Sequence, residues 1–258
     1  MCTLTFAWRR FDDHLAVAAN RDESYDRPAS PPAVRGEEPL VVAPRDEEAG
    51  GTWLGYNDAG VFAAVTNRWT RDVPVGDRSR GLLVRETLNH PTADAALAFV
   101  REELSRRRYE PFQLVLADSE RALVIEHDGT LAVSELAPGV YVVGNTGWCG
   151  ERSGPTDAAD PQRTETFFIP GDGDDRGRRQ ARNDRRLLDA LTAVEAASAA
   201  DWLETAGELL GDHEYGVCVH GDGFGTRSAS LVRLGDEHAW QFADGHPCET
   251  PFEPVDAR

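Results

Sequence analysis

Lysine is missing from this 258-residue chain: all 27 bases are arginine, set against 45 acids for a formal net charge of −18. A chain so short of positive charge has no basic face with which to neutralise phosphates, which excludes a nucleic-acid binder. The same balance excludes docking on an anionic membrane. It suits a high-salt medium, where screening relieves self-repulsion. No run approaches the length of a membrane-spanning helix. The opening segment MCTLTFAWRR lacks the apolar stretch of a signal peptide. Only four cysteines occur, Cys2, Cys149, Cys218 and Cys248, with no CxxC pair. That is too sparse for a disulfide scaffold and offers no zinc or redox motif, so no metal and no cofactor is expected. A cytoplasmic location is the default expectation.

What is present is a globular composition, 40% apolar and 28% charged. Residues 2–8 and 14–20 read as a hairpin turning at Phe11–His14, and a Pro-rich loop follows. Short strands at 40–43, 52–56 and 61–66 lead into helices at 81–90 and 92–108, the second capped by Thr92. A second β run covers 112–117, 122–127, 130–134 and 140–145. Residues 150–180 read as a long polar loop. Helices at 183–194 and 198–210 follow, with Ser198 and Asp201 as a capping pair and Gly211 as a stop. Strands near 216–220, 227–234 and 238–242 close the chain. Consecutive hairpin-like strands favour antiparallel sheets and an α+β fold, with helices outside two packed sheets. No linker splits the chain, so residues 1–258 are expected to form a single domain.

Cys2 is the most informative residue. Small second residues permit removal of the initiator methionine, which would leave a thiol beside a free α-amine. Such an amine titrates near neutrality and can act as the thiol's base. The bland alternative is a small buried hydrophobe near the chain start. Asn20-Arg21-Asp22-Glu23 directly follows the apolar strand 15–19, and the hairpin returns it beside Cys2. A carboxylate there can orient the amine, and an arginine can lower the thiol pKa. Gly50-Gly51-Thr52-Trp53-Leu54-Gly55 suggests a close backbone approach. Asn67 and Asn145 end strands, where an amide can donate to an oxyanion. Arg227 follows a Gly-loosened loop and can hold a carboxylate or position another residue. Each feature taken alone is more often a turn, a core contact or a surface ion pair.

Together these segments closely resemble the NRDE family, also called the transport and Golgi organisation protein 2 family. The matching pieces are Met1-Cys2, Leu15–Glu23, Arg27-Pro28, Gly50–Gly55, Ala64–Asn67, Arg80-Gly81, Val140–Asn145 and Tyr215–Ser228. The family in turn looks like the N-terminal-nucleophile hydrolases with an initial cysteine, the cholylglycine hydrolases and related acyltransferases. This resemblance implies a four-layer αββα sandwich and the cleavage or transfer of an acyl group from an amide- or thioester-like bond. It implies Cys2 as nucleophile, Asp22 to orient its amine, Asn67 and Asn145 for the oxyanion and the amine, and Arg227 in support. Arg21 is a further candidate, although in that branch the arginine commonly stands a few residues before the aspartate. Asn20, Trp53 and Thr66 are candidate substrate contacts. The expected partner is a small acyl substrate. The alternative is a non-catalytic carrier of haem or an acyl-lipid on the same scaffold. His213, Cys218 and His220 come closest to a ligand set but lack a clear metal spacing. An acidic stretch at Asp172–Gly177 reads as a solvated loop rather than a calcium site.

Overall fold

The computed structural model describes residues 2–36, 38–71, 75–152, 163–169 and 175–256. Two strands open the chain, β1 (Thr3–Trp8) and β2 (Leu15–Ser24). Next come β3 (Ala29–Arg35), β4 (Val41–Asp46), β5 (Leu54–Asn57), β6 (Phe62–Asn67), α1 (Arg80–Thr87), α2 (Ala93–Arg106), β7 (Phe112–Ala117), β8 (Ala122–His127) and β9 (Leu131–Glu135). The last stretch holds β10 (Gly139–Val143), β11 (Gly147–Arg152), β12 (Arg163–Phe167), α3 (Asp175–Thr192), α4 (Ala199–Gly211), β13 (Phe224–Leu234), β14 (Ala239–Ala243) and β15 (Glu253–Pro254). The chain divides into two compact units, Met1–Tyr25 with Ala137–Pro254 and Asp26–Leu136 with Val255–Arg258.

The first unit carries an eight-stranded sheet in the order β12-β11-β10-β1-β2-β13-β14-β15. Its ladders are antiparallel throughout. One face packs on α3 and α4. Ala7, Ala16, Ala18, Val140 and Val142 meet Leu187, Leu188, Leu191, Trp202, Ala206 and Leu210 there. Alternate alanines on β2 leave the sheet surface low enough for α4 to lie close. Trp202 donates its indole N–H to the Leu191 carbonyl at 3.1 Å, so its buried nitrogen is satisfied where α3 ends. Ser198 caps α4 by accepting from the Asp201 amide, as its sequence position predicts.

The second unit is a seven-stranded antiparallel meander, β3 through β9 in chain order. Val41, Val61, Ala63, Leu114, Leu116, Leu123 and Ile125 pack with Leu83, Val84, Leu88, Ala96 and Val100 of α1 and α2. Thr92 caps α2 through the Ala95 amide. Each unit therefore supplies one sheet layer and one helix layer, and the fold class is the expected α+β.

Several expectations need correction. The stretch 150–180 is not one loop, since it contains β12 and the start of α3. The first two turns of α3 are hard to read because the buried stripe includes Gly177, Gln180 and Asp184 before it turns apolar at Leu187. Asp172 to Asp174, the core of the acidic stretch, lie outside the described residues. β3 occupies the Pro-rich loop; Pro31 and Pro32 sit at a register shift on this edge strand, where proline is tolerated. No strand forms at 216–220, where a single His220–Gly225 bridge stands instead.

The double glycine before Trp53 has a specific cause. A Cβ on Gly51 would lie 2.2 Å from the Gly81 carbonyl carbon, at the start of α1. The Thr52 amide donates to the Gly81 carbonyl at 3.0 Å, locking this approach. Gly50 instead needs its positive φ of 70° and has open space around it. Gly51→Ala should therefore destabilise the chain by ~3 kcal/mol through overpacking, and Gly50→Ala by only ~1 kcal/mol through strain. Urea unfolding midpoints of the two variants check this order; equal midpoints would contradict it.

Candidate active site

Cys2 stands one residue before β1, an interior strand held by β10 on one side and β2 on the other. The Thr3–Asn20 pair of the β1–β2 ladder brings the end of β2 beside the start of β1. Asn20 to Glu23 do not follow the strand, as the sequence suggests, but continue it. Asn20, Arg21 and Asp22 are all buried. The apolar run ends at Ala19, yet β2 goes on because β13 continues beside it as far as Ser24 and Phe224.

The Cys2 thiol lies 3.7 Å from the Asp22 carbonyl oxygen, to which it can donate. The Cys2 backbone nitrogen donates to Asn145 Oδ1 at 3.1 Å. Gln180 Nε2 reaches the same oxygen at 3.4 Å. Burial pushes the Cys2 thiol pKa up, and the Asp22 carboxylate adds to this; Arg21 works weakly in the other direction. The thiol is therefore protonated at rest, so its use as a nucleophile requires a base.

Asp22 Oδ1 accepts from Thr226 Oγ1 at 2.6 Å. Thr226 Oγ1 in turn accepts from the Val219 amide at 2.8 Å. Burial raises the Asp22 pKa to about 6 against an ordinary 3.8, so the carboxylate is mostly ionised at pH 7. Arg227 sits at the register shift where β13 bulges against β2. Its guanidinium donates to the Tyr25 carbonyl and, at 3.4 Å, to that of Ser24, so it clamps the end of β2. Strand alternation holds through Arg21 and Asp22. Arg21 pairs with Glu23 at 3.9 Å on the face away from Asp22. Asn20 lies on the Asp22 face, and its amide donates to the carbonyls of Leu210 and Val217, both at 3.0 Å.

The structure thus gathers Cys2, Asn20, Arg21, Asp22, Asn145 and Arg227 in the first unit. The other three candidates belong to the second. Thr66 is buried and Asn67 exposed at the end of β6, while Trp53, just before β5, accepts the Val65 amide on its carbonyl at 2.8 Å. A cavity of ≈ 550 Å³ lies along α4 and β14, among Leu203, Gly207, Leu231, Arg233 and Phe252. None of its lining residues belongs to the Cys2 cluster.

Two residues behind Asn145 escaped the sequence reading. Gln180 and Asp184 are one turn apart on the buried side of α3. A Cβ on Gly144 would come within 2.4 Å of Asp184 Oδ2, so glycine there admits the carboxyl against the turn that carries Asn145. The signal was available: Gly177, Gln180, Ala181, Asp184, Leu187, Leu188 and Leu191 form one helical stripe.

The arrangement defines a class before it defines a relative. Among the described residues, two antiparallel sheets and four α-helices make up an α+β fold that solved acylases share. Penicillin V acylase from Agrobacterium tumefaciens matches with a TM-score of 0.52 at 14% identity, over 94% of this chain and 83% of that one. The C2A mutant of conjugated bile acid hydrolase from Clostridium perfringens matches with a TM-score of 0.54 at 12% identity, over 100% and 97%. At such identities the likeness is one of fold. The chain belongs to the family described as Transport and Golgi organisation 2, which it matches over residues 1–246. The Transport and Golgi organization protein 2 homolog of Bos taurus is 31% identical over 255 residues, 90% of this chain and 83% of the relative. That of Homo sapiens is 29% identical over 266 residues, 94% and 87%.

Burial raises the Asp184 pKa to about 8, from an ordinary 3.8. The folded chain therefore holds a proton that the unfolded chain releases between pH 4 and 8, and stability falls as pH rises through that window. Asp184→Asn removes this penalty. The variant should gain on the order of 3–5 kcal/mol over the parent at pH 8, and almost nothing near pH 4. Urea unfolding at both pH values is the measurement, and a gain independent of pH would contradict the assignment.

Proposed function

We propose that this protein is an N-terminal cysteine hydrolase or acyltransferase that acts on an amide- or thioester-linked acyl group. One observation carries the reading: Asn145 Oδ1 accepts from the Cys2 nitrogen at 3.1 Å while the Asp22 carbonyl receives the thiol at 3.7 Å. Loss of Met1 would turn that nitrogen into an α-amine in a site already fitted with an acceptor. The fold shared with a penicillin V acylase and a bile acid hydrolase, the latter solved as its C2A mutant, supports the same reading.

The chemistry follows from the pKa directions. A buried, protonated thiol gives its proton to the adjacent amine as sulfur attacks the acyl carbonyl carbon. The ammonium so formed is stabilised by the nearby Asp22 carboxylate, itself fixed by Thr226. Collapse of the tetrahedral intermediate breaks the bond to the leaving group, which takes the proton from the ammonium, and an acyl-thioester on Cys2 remains. The amine then deprotonates a water or an acceptor amine, which attacks the thioester and returns sulfur to the thiol. Asn67 is nominated for the oxyanion by its place at a strand end and by family resemblance.

Intact-mass analysis of the purified protein should show Met1 removed. Exposure to reactive thioesters and activated amides should add a single acyl mass, located on Cys2 and absent in Cys2→Ala. Asn145→Ala should slow acylation about 100-fold, a loss typical of one well-placed hydrogen-bonding partner. Retained Met1, or no acyl adduct across a broad panel, would reject the enzymatic reading. A saturable haem absorbance shift in the same unreactive protein would then favour a carrier.

A further inference from the structure

The sequence alone offers no metal motif, yet the fold brings four soft donors together. His213 lies on the 3-10 turn after α4, Cys218 and His220 on the irregular segment that follows, and Cys248 on the turn after β14. The bend at Cys218 brings its sulfur and the His220 ring together. Cys218 Sγ is 3.6 Å from Cys248 Sγ and 3.5 Å from His220 Nε2; Cys248 Sγ is 3.2 Å from His220 Nε2. All four donor atoms lie within 4.8 Å of one another.

Those spacings are informative. Tetrahedral zinc with Zn–S of about 2.3 Å and Zn–N of about 2.0 Å has edges of roughly 3.7 Å between sulfurs and roughly 3.5 Å between sulfur and nitrogen. The three measured edges fall within a few tenths of an ångström of these values. His213 completes the set from an exposed turn, its ring edge-on to that of His220 with centroids 5.0 Å apart.

We propose that His213, Cys218, His220 and Cys248 form a structural zinc site. Two thiolates and two imidazoles neutralise the ion and match its borderline-soft character. All four positions are filled by protein, so the site binds no substrate. The surroundings fit a ligand held in a fixed plane. The His246 ring stacks on His220 at 3.9 Å and 12°, and Tyr25 Oη meets His246 Nε2 at 3.1 Å.

The metal would cross-link the segment 213–220 to the turn at 248, and that segment holds the end of β2. The Val217 carbonyl accepts from Asn20. The Val219 amide donates to Thr226, whose hydroxyl donates to Asp22. A zinc clamp would therefore stiffen the backbone on which the Asp22 carboxylate depends. This inference stands whether or not Cys2 is a nucleophile.

Tag-free protein, purified under reductant, loaded with zinc and dialysed, should retain about one zinc per chain. Cys248→Ser and His213→Gln should each lower that to below about 0.1 after the same dialysis. Replacing zinc by cobalt(II) in the parent chain should give tetrahedral d–d bands and a thiolate charge-transfer band. The cobalt spectrum decides the matter even where a variant fails to fold. A parent chain that keeps no zinc, a cobalt complex without the thiolate band, variants that bind as the parent does, or a Cys218–Cys248 disulfide in the reduced preparation would each overturn the proposal.

Discussion

The pairing of β2 with its two neighbours is the constraint on which everything else in the first unit depends. β1 fixes Cys2 against the end of β2, and β13 carries the pairing on past the last apolar residue, Ala19. Without β13, Asn20 to Ser24 would have no reason to stay extended, and three polar side chains would leave the interior. The register shift around Arg227 lets β13 keep pace while the arginine turns to hold two carbonyls at the strand end. Position of the thiol, orientation of Asp22 and anchoring of α4 through Asn20 all follow from the two ladders that β2 makes.

Burying carboxyl groups inside a chain of net charge −18 demands compensation. Asp22 has a hydroxyl donor and a raised but still acidic pKa. Asp184 answers differently, by keeping its proton. The two carboxyls thus sit in different charge states at neutral pH, one ionised beside the thiol and one neutral behind Asn145.

Much of this was legible in the chain itself. β7 and β8 match their sequence boundaries because Asp118 and Asp128-Gly129 punctuate them sharply. Cys2, Asp22 and Asn145 could be nominated because the family resemblance names them and a hairpin explains how two of them meet. Legibility failed where a local pattern was interrupted by tertiary demands. The front of α3 hid behind two polar residues that face inward. β3 hid behind two prolines tolerated on an edge. The Cys–His cluster hid because its fourth member comes 28 residues after the third, on a turn whose position only the folded sheet determines.

The first unit is assembled from two separate stretches of the polypeptide, Met1–Tyr25 and Ala137–Pro254, with 111 residues of the other unit between them in sequence. On the ribosome, the β1–β2 hairpin is made before β10 and β13, the strands that flank it, and waits for them. Asn145 follows Cys2 by 143 positions and Thr226 follows Asp22 by 204. Contacts so distant in the chain form late, after long loops have closed. A nascent chain therefore carries its cysteine as an ordinary thiol on an unfinished ribbon, and the polar setting around it assembles only after β13 has been made.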